Sequence, residues 1–161
     1  MLSQISFVYT NKNFLSSPCM NTSDSRFSQC LYFSSNAFAR KIEKLALESW
    51  KPVGLSPSHG YLLMHVIEDP GIQPGVLAQH LQLQPSTVTR LIEKLEDKKL
   101  LVRTTEGKTT NVHPTSRAKE MHGKMQACIA RFSTAHTALL GKEEGKKMVQ
   151  QLNKLADRFS D

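Results

Sequence analysis

The chain has 161 residues, 39% of them apolar and 22% charged, enough to bury one core of ordinary size and too apolar for global disorder. Twenty-one Lys and Arg against 14 Asp and Glu leave a formal net charge of +7, which favours a polyanionic partner such as nucleic acid or anionic lipid. No run approaches the roughly 20 apolar residues that a membrane-crossing helix requires, and a second, enzymatic domain has little room.

Residues 1–27 mix Ser, Asn and isolated apolar residues, as expected of a disordered tail, and Met20 offers a second candidate start. The first twenty residues lack the basic start and apolar stretch of a secretory leader, which points to the cytoplasm. The three cysteines, Cys19, Cys30 and Cys128, are odd in number and lack CxxC spacing, so reduced thiols are expected rather than disulfides or a zinc ribbon. From about Ser28 to Ser49, Leu31, Phe38, Ile42 and Leu45 recur at helical spacings. This long amphipathic helix should end near Trp50, because Pro52 disfavours helical geometry before it and Gly54 follows.

Ser56-Pro57 restarts a helix, the hydroxyl suited to the N-cap and proline to the first helical position, with Leu62, Leu63, Val66 and Ile67 inward. Asp69-Pro70-Gly71 makes a turn, and Pro74 opens a short helix carrying Val76, Leu77 and Leu81 inward. Pro85-Ser86-Thr87 starts another, with Val88, Leu91, Ile92 and Leu95 as one stripe and Thr89, Arg90, Glu93 and Lys94 opposite. Leu100 to Thr105 and Lys108 to Val112 are rich in Val and Thr and flank Glu106-Gly107, which predicts a β-hairpin with a tight tip. Thr115 or Ser116 caps a helix with Ala118, Met121, Met125, Cys128, Ile129 and Phe132 inward. Gly141 interrupts it, and Met148, Leu152, Leu155 and Phe159 form a last stripe.

A short helix, a tight turn, a second helix opening on small polar residues, and a hairpin follow the plan of a winged helix-turn-helix. A helix that reads DNA needs short hydrogen-bonding side chains at its N-terminus, where backbone donors and the helix dipole face phosphate, and a long cation one turn on. Ser86, Thr87, Thr89 and Arg90 meet that demand. The segment PSTVTRLIEKLEDKKLLVRT, from Pro85 to Thr104, resembles the recognition helix and first wing strand of the MarR (multiple antibiotic resistance regulator) family. CLYFSSNAFARKIEKL is similar to its first dimerisation helix, LSPSHGYLLMHVI to its second helix, and VHPTSRAKEM to the V-x-L-T-x-x-G junction after the wing.

The resemblance implies a mainly α fold with a small β-hairpin wing, a winged helix-turn-helix flanked by N- and C-terminal dimerisation helices. Residues 28–161 would form one such domain, with 56–114 binding DNA and 28–50 and 116–161 pairing two copies. Function follows as a bacterial-type transcription regulator, a homodimer on a pseudo-palindromic double-stranded operator. The DNA-binding positions become Ser86, Thr87, Thr89, Arg90 and Lys94 on the helix, and Arg103, Lys108 and Thr109 on the wing. Two departures stand out. The family's wing Asp-x-Arg element, which reaches the minor groove, is cut here to Glu106-Gly107 followed by Lys108, Thr109 and Thr110; at the junction Pro114 and Ala118 replace Leu and Gly.

Control by a small aromatic or anionic effector, or by thiol oxidation, is the further implication. Tyr61, Met64 and His65 are candidates to line an effector cleft, with core packing as their plain alternative. Cys30, at a helix start beside Tyr32, is the candidate redox residue, against the ordinary behaviour of an unpaired cysteine as a small hydrophobe. The six histidines show no i, i+4 pair, so no metal site is expected, and no cofactor. No Gly-rich phosphate loop, nucleophile motif or carboxylate pair marks an enzyme. The competing reading is a winged-helix protein-interaction module without specific DNA binding, which the short wing would allow.

Overall fold

The computed structural model describes residues 21–159; the candidate start at Met20 and Cys19 lie outside them. The chain divides into two compact units, Met1–Arg40 and Lys41–Asp161, and the boundary falls within the first long helix. In the first unit, residues 21–27 of the expected tail include a single 3-10 turn at Thr22–Asp24. Helix α1 (Leu31–Trp50) then begins, three residues after the expected Ser28. The Ser28 carbonyl accepts from the Ser34 hydroxyl at 3.0 Å, and the Phe27 and Phe33 rings meet at 5.9 Å.

In the second unit α1 ends at Trp50, as Pro52 dictates. A 3-10 turn at Lys51–Val53 closes on Gly54, whose φ of +66° suits a residue without a side chain. Helices α2 (Pro57–Glu68), α3 (Pro74–His80) and α4 (Pro85–Asp97) each start with proline at the first position. Ser56 holds the N-cap position of α2, but its hydroxyl does not cap the helix. It is paired with Nδ1 of His59 at 2.7 Å, a side-chain partner one turn away that takes the hydroxyl from the backbone donors. Val76, expected inward, is exposed, because Leu77 and Ala78 already fill the side of this seven-residue helix that meets the core.

Both α3 and α4 end in a left-handed residue that is not glycine, Gln82 (φ +50°) and Lys99 (φ +58°). After α3 the Leu83 amide donates to the Ala78 carbonyl and Gln82 to Gln79; after α4, Leu100 donates to Leu95 and Lys99 to Glu96. These are two copies of the six-residue Schellman closure, and each brings an apolar residue back onto its own helix. The first makes the tight turn of the helix-turn-helix; the second aims the chain into the wing.

Strands β1 (Leu101–Glu106) and β2 (Thr109–Pro114) pair antiparallel from Leu101↔Pro114 to Glu106↔Thr109, so Gly107 and Lys108 alone form the tip. A further antiparallel bridge joins Ile72 to Val112, with the Gly71 amide on the Val112 carbonyl and the Val112 amide on Ile72. It binds the wing to the segment before α3. Helix α5 (Ser116–Leu140) opens on Thr115, whose Oγ1 accepts from the Ala118 amide at 3.2 Å and donates to the Lys99 carbonyl at 3.0 Å. Gly141 ends α5, and α6 (Lys142–Ala156) follows.

The core draws on α1 to α5 and both strands: Trp50, Leu62, Leu63, Val66, Leu77, Val88, Ile92, Leu95, Leu101, Val112 and Met125 are fully buried. Fully burying each side chain of this size contributes about 1.5–3 kcal/mol. Gly60 lies against the six-membered ring of Trp50, and the Tyr61 ring meets the indole edge-on at 5.5 Å.

Candidate nucleic-acid interface

Helix α4 has two chemically distinct sides. Val88, Ile92 and Leu95 are sealed in the core, which locks the rotation of the helix, so Ser86, Thr87, Thr89, Arg90 and Lys94 all turn to solvent. Proline at its first position and Gln84 before it leave the first turn without a side-chain cap, and the Thr87 amide donates instead to the Gln84 carbonyl at 2.9 Å. The Thr89 hydroxyl donates to the Pro85 carbonyl at 3.0 Å, leaving its lone pairs and methyl group to an incoming surface. Among the described residues neither Arg90 nor Lys94 takes part in an ion pair, so both cations are available to phosphate.

The wing is less free. Lys108 stands at the tip and Thr109 opens the second strand, both exposed. Arg103 instead reaches back to Glu96 of α4, Nη2 to Oε2 2.6 Å. Sequence reasoning missed this pair, since residues seven apart across a helix end and a strand share no periodicity. Next to the helix, His59 sits half-buried with Nε2 unpartnered, and burial, then Lys98 and Lys94, pushes its pKa below 6.5. It is a second unforeseen neighbour of the basic surface.

The effector candidates divide between the units. Cys30, exposed, directly precedes α1, and Tyr32 is exposed two residues beyond it in the first unit. Tyr61, Met64 and His65 share α2 in the second unit. Burial raises the pKa of Tyr61, Met64 packs against the core, and His65 meets the ring of His80. None of the three lines the clefts along α5. One of about 340 Å³ is bounded by Val53–Leu55, Asp97–Leu100, Arg117 and Met121, and another of about 270 Å³ by Ser49, Pro52, Lys124 and Cys128. Burial also raises the pKa of the Cys128 thiol, the opposite of what a reactive thiolate needs.

Residues 53–109, which run from the turn before α2 through α4 to the wing tip, match the sequence model of the MarR family. Over this segment the chain resembles the MarR family. It is 27% identical over 100 residues to the HTH-type transcriptional repressor MdtR of Bacillus subtilis (strain 168), an alignment covering 62% of this chain and 64% of that repressor. Two solved structures share the fold. The transcriptional repressor CouR bound to p-coumaroyl-CoA superposes with a TM-score of 0.75 at 20% identity, over 84% of this chain and 98% of CouR. The S. aureus MepR–DNA complex does so with a TM-score of 0.69 at 18% identity, over 81% of this chain and 98% of MepR. Mainly helical architecture with a two-stranded wing is therefore the fold this chain shares with those regulators. No helix among its described residues is long and apolar enough to cross a membrane.

Proposed function

We propose that the chain is a cytoplasmic transcription regulator that binds double-stranded DNA sequence-specifically, with α4 in the major groove. The observation that carries this is the solvent side of α4. Ser86, Thr87, Thr89, Arg90 and Lys94 stand in one exposed row on a helix whose opposite side is immobilised in the core. Arg90 and the three hydroxyl residues read base edges and phosphates. Lys94, Lys108 and Thr109 anchor the backbone, and Arg103, still paired with Glu96, adds a weaker phosphate contact. Residues 28–50 and 116–161 pair two copies, so that two α4 helices meet successive major grooves of a pseudo-palindrome. MdtR, named a transcriptional repressor, and the DNA-bound MepR support the reading. CouR's thioester ligand supports control by a small aromatic or anionic effector.

Selection from a random duplex library at about 0.15 M salt tests it. A pseudo-palindrome should be enriched, and Arg90→Ala should weaken binding to it by about 1–3 kcal/mol while sparing random duplex. Equal weakening on every sequence would make Arg90 a phosphate clamp. No enrichment from an intact dimer would favour the protein-interaction module instead.

A further inference from the structure

Six histidines without an i, i+4 pair suggest no metal site along the sequence, but folding brings two of them together. His65 lies in the last turn of α2 and His80 is the last residue of α3, and their ring centroids stand 5.5 Å apart. We propose that His65 and His80 form a two-imidazole site for a divalent d-block cation of the zinc class.

Three observations carry this assignment. First, with each nitrogen about 2.0 Å from a shared tetrahedral zinc, two imidazole centroids would be about 5 Å apart, close to the observed spacing. Second, the rings are uncommitted. Ring nitrogens of His59, His113 and His136 are engaged by Ser56, Thr104 and the Phe132 carbonyl, whereas among the described residues neither the His65 nor the His80 ring has a hydrogen bond or ion pair. Third, both sit at helix C-termini, where the unpaired carbonyls and the dipole favour positive charge. No group of three or more His, Cys, Asp or Glu could hold a metal among the described residues, so water completes the coordination and the site stays open. Neutral imidazole suits zinc, nickel and copper over magnesium or calcium. A bound ion would clamp the end of α2 to the end of α3, the first helix of the helix-turn-helix. The site is independent of the DNA-binding assignment.

The test is zinc titration of the tag-free protein by calorimetry, repeated with cobalt, whose visible absorption reports tetrahedral nitrogen ligation. One ion per chain is expected. His65→Ala and His80→Ala should each weaken it at least about tenfold, and His136→Gln should leave it unchanged; circular dichroism verifies that each variant is folded. Absence of binding, retention in both alanine variants, or loss in only one of them would overturn the assignment.

Discussion

His59 shows how one side chain can make stability depend on pH. Its ring is half-buried beside Lys94 and Lys98, and its folded pKa lies below the ordinary 6.5. The unfolded chain therefore takes up the proton first. The stabilisation is fully present above pH 6.5 and is lost as pH falls from there through the folded pKa. Denaturant midpoints measured from pH 7.5 down to 5 should fall for the wild type and fall less steeply for His59→Asn; identical slopes would remove His59 from the account. Gly60 makes a steric case. Alanine is the better helix former by about 1 kcal/mol, but its Cβ would overlap the ring of Trp50, which is fully buried and walled by Tyr61. Overpacking of this kind costs about 1–3 kcal/mol, so Gly60→Ala should lower the thermal midpoint. A rise would show that the indole can move aside.

Among the elements, the wing and α4 act as one piece because Glu96 holds Arg103 at 2.6 Å and the Ile72–Val112 bridge holds the second strand. Partly exposed pairs of this sort contribute little stability, about 0–1 kcal/mol. Their larger effect is on charge: a neutralised Arg103 displaces fewer counterions from DNA than a free cation does. Lys108→Ala should reduce the slope of log K against log salt by about 0.9. Arg103→Ala should reduce it by less, and Glu96→Gln should tighten binding by releasing Arg103. An equal reduction from both wing replacements would mean that Arg103 abandons Glu96 whenever DNA is present.

For the whole molecule the telling feature is apolar surface that one chain leaves uncovered. In the second unit Leu139, Val149, Leu152, Leu155 and Phe159 are at least half exposed, and in the first Leu31 and Tyr32 are more than three-quarters exposed. A large exposed apolar patch marks an interaction surface, and the two segments are those assigned above to pairing. Sedimentation equilibrium should give a dimer for the wild type. Leu152→Glu, with Leu155→Glu as a second variant, should shift it towards monomer and weaken binding to a two-half-site duplex far more than to a single half-site. A wild-type monomer would remove the two-groove arrangement.

Helices α2, α3 and α4 and both wing strands were legible because proline starts, Val/Thr-rich runs and helical periodicity are local properties that residues carry wherever they are placed. The polar row from Ser86 to Lys94 was legible for the same reason, once the stripe Val88, Ile92 and Leu95 had set which side is buried. The left-handed closures at Gln82 and Lys99 escaped notice, since no glycine marks them and the apolar contacts of Leu83 and Leu100 hold the backbone there. The inward placing of Val76 failed because a helix of seven residues offers too few turns for a period to choose its face. Ser56 was diverted from its cap by His59, Arg103 by Glu96, and His65 was brought to His80. The sequence by itself determined which segments coil, where they stop and which faces are apolar, all set by the nearest few residues. Only the tertiary structure decided which polar side chains pair, because those partners meet after packing has closed the distance between elements.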